Sequence, residues 1–281
     1  MTLRELIKES IIEDCPVKDI TSTYLLPNNI SSKATLLTRE KGVFFGAAII
    51  SVLYDELYPN CSYTLSVKDG DFIDVNQPLV AIQGPIQDIL LTERVLLNFL
   101  QRLSGISTIT RAFVDQLNDS SIQVLDTRKT TPGLRDLEKA AVIAGGGYNH
   151  RHGLSDMVLI KENHLTGFLE DHTIDELGLL LSKIKQEQPT IKIEIEIETL
   201  AQLETIDFSS VDYIMLDNFS REELVTALSI IKRVASHSQI EVSGMVSLDT
   251  ISDYRGLAID RISVGKLTHS VTALDLSLLI D

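Results

Sequence analysis

Residues 126–164 of the chain, DTRKTTPGLRDLEKAAVIAGGGYNHRHGLSDMVLIKENH, differ in charge from the rest of the molecule. The protein has a formal net charge of -15, yet this stretch holds six Lys and Arg against five Asp and Glu, and three of the six histidines. Several of its cations directly follow two apolar runs, residues 122–125 and 157–160, which predict buried strands. A basic segment at strand ends in an acidic protein predicts a site for a small polyanion.

From residue 121 onward, short β-rich runs alternate with segments of helical periodicity. The predicted strands are residues 122–126, 157–161, 191–198, 213–217, 240–243 and 261–265. The predicted helices between them are roughly residues 134–144, 173–186, 200–206, 221–236 and 248–255. Repeated βα units form parallel sheets with helices outside. No GxGxxG motif follows the first strand, and six units in series favour a barrel over an open sheet.

The N-terminal part has another pattern. Its predicted elements are helices at 2–13 and 47–58 and strands at 32–39, 42–45 and 62–67. Residues 66–84 alternate around an Asp69-Gly70 turn, which indicates the β-layer of a smaller domain. A long helix is predicted over 87–117, with a break at Gly105 left open. Its polar stripe fits either a solvated face or a binding surface, and consists of Arg94, Asn98, Gln101 and Arg102.

Composition limits the class of protein. The charge of -15 argues against nucleic acid or an anionic membrane surface as a partner, because both require a broad basic face. Cys15 and Cys61 have no metal-ligand spacing and form no disulfide framework, which fits a reducing compartment. The N-terminal residues lack a signal-peptide core, and the longest near-apolar run, 43–54, is too short for a membrane span. We therefore expect a cytoplasmic protein.

Polar residues follow each predicted strand of the βα array. In a barrel, the active site lies at these carboxyl ends of the strands. In chain order the residues are Arg128, Lys129, Lys161, Glu162, Asn163, His164, Glu196, Glu198, Asp217, Asn218, Ser243, Gly244, Gly265, Lys266 and His269. Barrels commonly hold a phosphate on backbone N–H groups after the late strands, which here contain Ser243-Gly244 and Gly265.

The third predicted strand, residues 191–198, alternates strictly between isoleucine and charged residues. It is either an edge strand with its charged face in water, or a barrel strand whose carboxylates point inward and need partners. In the second case, one alternative is an internal ion-pair network. It would join four cations to three carboxylates: Arg128, Lys129, Arg151 and Lys161 to Glu196, Glu198 and Asp217. The other is an anionic substrate for the cations, with a divalent metal or sugar hydroxyls for the carboxylates.

His150 and His164 are further candidates, as metal ligands or as bases. A single histidine is more often a packed or hydrogen-bonded residue. His150 has the stronger case because Asn149 and Arg151 flank it after three consecutive glycines.

Together these motifs resemble quinolinate phosphoribosyltransferase, also called nicotinate-nucleotide pyrophosphorylase (carboxylating). The segments that carry the resemblance are EDCPVKDITS, NFLQRLSGIST, DTRKTTPGLR, GGGYNHR, IKENH, EIEIETL, IMLDNF and SVGKLTHS, in family order over most of the chain. The resemblance implies an N-terminal α/β sandwich domain, residues 1–107, and an incomplete α/β barrel, residues 108–269, with 270–281 packing on the first domain. It also implies a homodimer or higher oligomer, in which Arg102 reaches the neighbouring subunit's site.

The implied reaction joins quinolinate to phosphoribosyl pyrophosphate and requires Mg²⁺. It yields nicotinate mononucleotide, pyrophosphate and carbon dioxide, a step of de novo NAD biosynthesis. By resemblance, the quinolinate carboxylates and the pyrophosphate are held by Arg102, Arg128, His150, Arg151 and Lys161, with Lys129 beside them. Glu196 and Asp217 match acidic residues near the ribose hydroxyls and the metal. The resemblance implies catalytic roles for Lys129, Lys161, Glu196 and Asp217. It implies that the ribose phosphate is bound by Ser243, Gly244, Gly265 and His269.

Three residues depart from the family pattern. Met245 stands where a second glycine is common, Lys266 where a small residue is common, and His152 where a larger apolar or aromatic residue is expected. The first two bear on the phosphate contacts. The rival hypotheses are a same-fold phosphoribosyltransferase for nicotinate or another base, a pyrophosphorylase-like protein associated with molybdenum transport, and a non-catalytic nucleotide or phosphate sensor.

Overall fold

The computed structural model of the protein describes residues 1–27 and 30–280. The chain divides into two compact units. The first comprises Met1–Arg111, Thr130–Gly146 and the segment from Leu267 onward, and the second comprises Ala112–Lys129 and Gly147–Lys266. Each unit combines segments that are distant in the sequence. The predicted domain boundaries, 1–107 and 108–269, therefore stay a prediction.

The first unit contains two antiparallel sheets. Its strands are β1 (Ser31–Thr38), β2 (Gly42–Val43), β3 (Ser62–Leu65), β4 (Phe72–Ile73), β5 (Pro78–Pro85) and, from the C-terminal segment, β12 (Leu276–Ile280). One sheet has the order β12-β1-β5-β3, and β2 pairs with β4 in the other. Because strand side chains alternate between faces, Ala34, Leu36 and Thr38 of β1 are buried together.

The helices of the first unit are α1 (Leu3–Asp14), α2 (Ile20–Leu25), α3 (Ala47–Ser51) followed by a π-helical turn (Val52–Leu57), α5 (Arg135–Ala144) and α4 (Ile86–Leu117), whose residues after Arg111 belong to the second unit. Thr2 and Glu5 form a capping box that begins α1, and Cys15 ends it, as its apolar spacing predicts. A break in α4 at Gly105 is wrong, because the helix runs through. A Cβ at Gly105 would lie 2.3 Å from the carbonyl oxygen of Thr272, so glycine here permits close backbone approach.

The Asp69-Gly70 turn is present, and Gly70 has φ +91°. The strands on its two sides, β3 and β5, pair antiparallel, with Leu65 opposite Val80, but the connection between them is too long for a tight hairpin and contains β4. Strand β4 pairs with β2, while β5 pairs with β1 and β3. The Gly70 N–H donates to the carbonyl of Phe44 (2.9 Å), which ties the turn to the β2 side.

The second unit is built on six parallel strands. They are β6 (Gln123–Leu125), β7 (Met157–Ile160), β8 (Lys192–Ile197), β9 (Tyr213–Asp217), β10 (Gln239–Ser243) and β11 (Arg261–Ser263), in the order β6-β11-β10-β9-β8-β7. The predicted α/β class, with a small N-terminal sheet and a separate parallel sheet, is confirmed, and the parallel sheet is consistent with the predicted incomplete barrel. The edge-strand alternative for β8 is wrong, because β8 lies between β7 and β9.

Helices α6 (Glu162–Leu169), α7 (Ile174–Glu187), α8 (Leu200–Thr205) and α9 (Arg221–Val234) lie between these strands in the chain, and α10 (Lys266–His269) follows the last of them. The helix predicted at 248–255 is only a 3-10 turn, Ile251–Tyr254. Before it, the Ser247 N–H donates to the hydroxyl of Thr250 (3.0 Å), and such local bonds compete with helix formation. Among the described residues, no helix is both long enough and apolar enough to span a membrane.

Candidate active site

A cavity of about 400 Å³ opens in the second unit where its parallel strands end. It is lined by Thr127, Arg128, Lys129, His150, Arg151, Leu159, Lys161, Glu196, Met215, Asp217, Ser243 and Ser263. Eight sequence-predicted residues therefore meet here, because the carboxyl ends of parallel strands share one edge. Gly244 and Gly265 lie outside this lining, and Arg102 and His269 belong to the first unit.

Lys161 and Glu196 form a direct ion pair in the cavity. The Lys161 side chain is 43% exposed, whereas that of Glu196 is only 6% exposed. Burial, with the neighbouring charges of Asp217 and Glu162, raises the pKa of Glu196, although the Lys161 ammonium partly opposes this. An ammonium this accessible can turn from Glu196 to an incoming anion.

The guanidinium groups of Arg128 and Arg151 also line the cavity. Burial and the positive charge of Arg128 lower the pKa of Arg151. Arg151 Nη1 donates to the carbonyl of Met157 (3.2 Å), which orients the side chain. Two cations that disfavour each other are stabilised by an anion between them, and a planar guanidinium binds carboxylate or phosphate by two parallel hydrogen bonds.

Carboxylate oxygens gather on the other side of Lys161. One oxygen from each of Glu162, Glu196 and Glu198 lies within 4.8 Å of the others. Asp217 is outside this group, and its Oδ2 accepts from the side-chain amide of Asn218 (2.7 Å). Hard oxygen ligands of this kind fit Mg²⁺, which binds through one or two carboxylates together with substrate phosphates.

The turn after β10 is tightly packed against Asn218. Gly244 has φ +96°, and a Cβ there would lie 2.1 Å from Asn218 Oδ1. Met245, next in the chain, has φ +46° and is 89% exposed. The residue that replaces a common family glycine thus occupies the left-handed region that favours glycine.

His164 does not line the cavity. Its Nδ1 accepts from the backbone N–H of Lys161 (3.0 Å), at the first turn of α6. This histidine is therefore a hydrogen-bonded residue that caps helix α6, and not a metal ligand or a base of the cavity. His269, in the first unit, has its Nδ1 2.6 Å from the Ser270 hydroxyl.

Beneath the cavity lies a buried layer of charge formed by His150, Glu194, Glu241 and Arg261, of which Glu241 and Arg261 were not named from the sequence. Glu194 and Glu241 have no exposed surface, and Arg261 is 8% exposed. Arg261 Nη2 lies 3.2 Å from Glu194 Oε1 and 2.8 Å from Glu241 Oε2. His150 Nε2 lies 3.1 Å from Glu194 Oε2 and 3.4 Å from Glu241 Oε1. Each carboxylate therefore contacts both cationic side chains, in a closed ring of alternating charge.

A signal for this buried layer existed in the sequence. Glu194 is two residues before Glu196 on one strand and therefore points to the same side. Glu241 and Arg261 are likewise two residues before Ser243 and Ser263, which line the cavity. Strand alternation alone would have predicted a layer of charge one step below the lining.

His150 belongs to both the cavity lining and the buried layer. Its backbone N–H donates to Asp126 Oδ1 (2.9 Å), and Asp126 is fully buried. The Arg151 amide donates to Nδ1 (2.6 Å) in the neutral ring, whose proton is then on Nε2, between the carboxylates; a second proton, on Nδ1, displaces this hydrogen bond. Burial alone would lower the pKa of His150, but Glu194 and Glu241 outweigh it and raise the pKa to about 9.

Arg102 is held within the first unit. Its Nε and Nη2 donate to Glu138 Oε1 at 2.9 and 2.7 Å, and Nη2 also donates to the Thr131 hydroxyl at 2.8 Å. The buried carboxylate of Glu138 also accepts from the Thr131 N–H (3.1 Å). A solvated face therefore does not describe Arg102, whereas Arg94 and Asn98 of the same stripe are exposed.

Comparison with known proteins relates both parts of the chain to one family. Residues 19–104 match the model of the quinolinate phosphoribosyl transferase N-terminal domain, and residues 106–279 match that of its C-terminal domain. A probable nicotinate-nucleotide pyrophosphorylase [carboxylating] of Bacillus subtilis is 38% identical over 99% of this chain and 93% of its own length.

Solved structures agree with these matches. The crystal structure of NadC from Streptococcus pyogenes is 37% identical, with a TM-score of 0.90 over 99% of this chain and 96% of that one. Human nicotinic acid phosphoribosyltransferase is similar in fold alone, at 10% identity and a TM-score of 0.63 over 100% of this chain and 74% of that one.

Proposed function

The chain belongs to the quinolinate phosphoribosyltransferase family, and we propose on this premise that it transfers the phosphoribosyl group of phosphoribosyl pyrophosphate to quinolinate. The products are nicotinate mononucleotide, pyrophosphate and carbon dioxide. The protein is thus a pentosyltransferase, a carboxylating nicotinate-nucleotide pyrophosphorylase of de novo NAD biosynthesis. The observation that carries this function is the cavity in which arginine and lysine side chains face carboxylates at the strand ends.

Quinolinate carries two adjacent carboxylates, and the cavity offers cations for them. In the proposed complex, Arg128, Arg151 and His150 bind these carboxylates. Lys161 and Lys129 lie where the ring nitrogen meets the ribose and contact the departing pyrophosphate. The accessibility of Lys161 and its pairing with Glu196 support an exchange of partners when the substrate binds.

Catalysis by these residues is mostly positioning and electrostatics. As pyrophosphate departs, positive charge develops on the ribose, and Glu196 and Asp217 stabilise it. The ring nitrogen then forms the new bond and becomes cationic. The adjacent carboxylate leaves as carbon dioxide, and its electron pair enters the ring, so the step requires no dedicated protein base.

Mg²⁺ is the proposed metal, held by Glu196 and Asp217 with the substrate. The clustered oxygens of Glu162, Glu196 and Glu198 support this choice. The ion would neutralise the charge of the pyrophosphate group. The ribose phosphate is assigned by family resemblance to Ser243, Gly244, Gly265 and His269, and the positive φ of Gly244 supports a backbone contact there.

We further propose a homodimer, or an oligomer of dimers, in which Arg102 serves the neighbouring subunit's site. Glu138 and Thr131 hold Arg102 in one orientation, which supports a binding role. Arg102→Ala and Lys161→Ala homodimers, each inactive alone, should regain activity when mixed. An absence of recovery after verified subunit exchange would contradict the shared site.

A cytoplasmic location completes the proposal. Both cysteines, Cys15 and Cys61, are free thiols, which fits a reducing compartment.

The direct test is turnover with quinolinate, phosphoribosyl pyrophosphate and Mg²⁺, scored as nicotinate mononucleotide and carbon dioxide. Nicotinate in place of quinolinate is the control substrate, and EDTA tests the metal. Product from quinolinate but not from nicotinate supports the function. Turnover of nicotinate alone would move the chain to the same-fold rival, and no turnover of either would favour a sensor.

A further inference from the structure

The buried layer of His150, Glu194, Glu241 and Arg261 contains more contacts than the pairing of its carboxylates with Arg261 alone. Arg261 already contacts both carboxylates, and its guanidinium also stacks on the Tyr213 ring at 3.7 Å. An internal ion-pair network could end there. Here it extends to His150, a residue that also lines the cavity.

The charges of the layer balance only when His150 is included. Two carboxylates face one guanidinium, which leaves one negative charge without solvent, because Glu194 and Glu241 are fully buried. An uncompensated buried charge is strongly unfavourable. The His150 ring, in contact with both carboxylates, supplies the missing positive charge or shares its Nε2 proton with them.

The ring is therefore constrained from two directions. Its backbone is fixed by Asp126 from the β6 side, and its Nε2 is fixed by carboxylates on β8 and β10. The ring thereby forms a fixed part of the cavity wall and supports its neighbour Arg151, whose amide donates to Nδ1. A cavity wall held in advance loses less entropy when the ligand arrives.

We propose that Glu194, Glu241 and Arg261 are positioning residues for quinolinate binding, which act through His150 by holding its ring in one orientation at the cavity wall. The proposal rests on the proposed function and deepens it, since it assigns a role to three residues that contact no substrate. It also accounts for charged side chains at positions of β8, β10 and β11 where a barrel interior would ordinarily be apolar.

The test is a double-mutant cycle with Glu241→Gln and His150→Gln, on the full chain. Glutamine keeps the size of glutamate and removes its charge. In the wild-type background, Glu241→Gln should raise the KM for quinolinate about tenfold, with kcat and the KM for phosphoribosyl pyrophosphate changed less than about threefold. In the His150→Gln background, the same substitution should leave the quinolinate KM unchanged, because the group through which it acts is gone.

A purely structural role predicts another result. Glu241→Gln would then lower kcat through loss of folded enzyme, by the same factor in both backgrounds, and leave the quinolinate KM unaltered. That outcome overturns the proposal. Glu204→Gln, which removes an exposed partner of Arg233, is the matched control and should change neither constant.

Two further precautions keep the outcome decisive. If Glu241→Gln yields no folded protein, Glu194→Gln makes the same test from the other carboxylate. A wild-type chain that does not turn over quinolinate overturns both the function and this inference. An active wild-type chain whose glutamine variants retain the quinolinate KM overturns the inference alone.

Discussion

The interior of the second unit has two layers of charge, and they differ most in the exposure of their cations. The upper layer consists of Lys161, Glu196 and Asp217 at the strand ends, and the lower layer is the buried one described above. Glu194 and Glu196 are two residues apart on β8, yet only the lower carboxylate has no exposed surface. The Lys161 side chain of the upper layer is 43% exposed, against 10% for Arg261 below it.

This difference separates function from stability. A buried ion is destabilising unless its partners are complete, so each member of the lower layer requires the others. In the upper layer, Glu196 is also buried, but Lys161 is 43% exposed, so a substrate can take the place of Glu196 as its partner. We therefore expect loss of the buried cation Arg261 to affect the fold first and loss of the exposed cation Lys161 to affect turnover first.

The largest expected effect is on stability, in the lower layer. Arg261→Ala leaves two buried carboxylates against one histidine and should lower the free energy of unfolding by about 3–5 kcal/mol. Urea unfolding followed by circular dichroism measures this. Arg233→Ala, which breaks an exposed pair with Glu204, should cost less than about 1 kcal/mol. Equal losses for the two variants would abolish the distinction between buried and exposed charge.

The next effect is on turnover, in the upper layer. Lys161→Ala removes a cation that contacts the departing group in the proposed complex, and should lower kcat/KM about 10²–10³-fold. It also leaves the buried Glu196 without its ion-pair partner, so the free energy of unfolding should fall, but by less than in Arg261→Ala, because only one carboxylate loses a partner. Lys183→Ala, which breaks an exposed pair with Glu187, serves as control for both measurements. A Lys161→Ala enzyme that keeps its activity but loses stability would contradict the assignment of turnover to the upper layer.

The third effect is on the pH dependence of stability, through His150. The charged groups that surround its ring are Asp126, Glu194, Glu241 and Arg261, with Arg128 and Arg151 along the cavity. Because the pKa of His150 rises from 6.5 to about 9 on folding, its contribution is complete below pH 6.5. That contribution declines as the pH rises and is lost above about 9.

The measurement compares wild type with His150→Gln by urea unfolding at several pH values. The stability difference between them should shrink by on the order of 2 kcal/mol between pH 6 and pH 9.5. A difference that stays constant over this window would mean that folding does not raise the pKa of His150.

The smallest effect concerns the rim of the upper layer. Met245→Gly removes a left-handed backbone penalty of about 1–2 kcal/mol and adds an unfolded-state entropy cost of about 0.5–1 kcal/mol. We expect a stability gain of up to about 1 kcal/mol by urea unfolding. Asn118→Gly is the control: Asn118 has φ +45°, but asparagine tolerates this region and should gain less. A loss of stability in Met245→Gly would show that its side chain has a partner in solution.

Much of the fold followed from local patterns. The alternating βα segments predicted six parallel strands, all of which are present with ends shifted by at most two residues. The π-helical turn after α3 and the short α2 and α6 were not predicted, because their residues are compatible with several local conformations. Helix α6 begins directly after Lys161, where a strand-end motif had been the only interpretation.

The residues of the candidate site were likewise determined partly by local patterns and partly by the tertiary structure. The sequence by itself determined which residues stand at the strand ends, because alternation and βα order are local properties of the chain. It thereby predicted the cations and carboxylates of the cavity. Only the tertiary structure decided which buried charges meet, since the order β6-β11-β10-β9-β8-β7 brings Arg261 and Glu241 onto neighbouring strands and His150 against both carboxylates. Period-two alternation tells which face a side chain occupies, but its partner across the barrel depends on strand order and register, which are non-local.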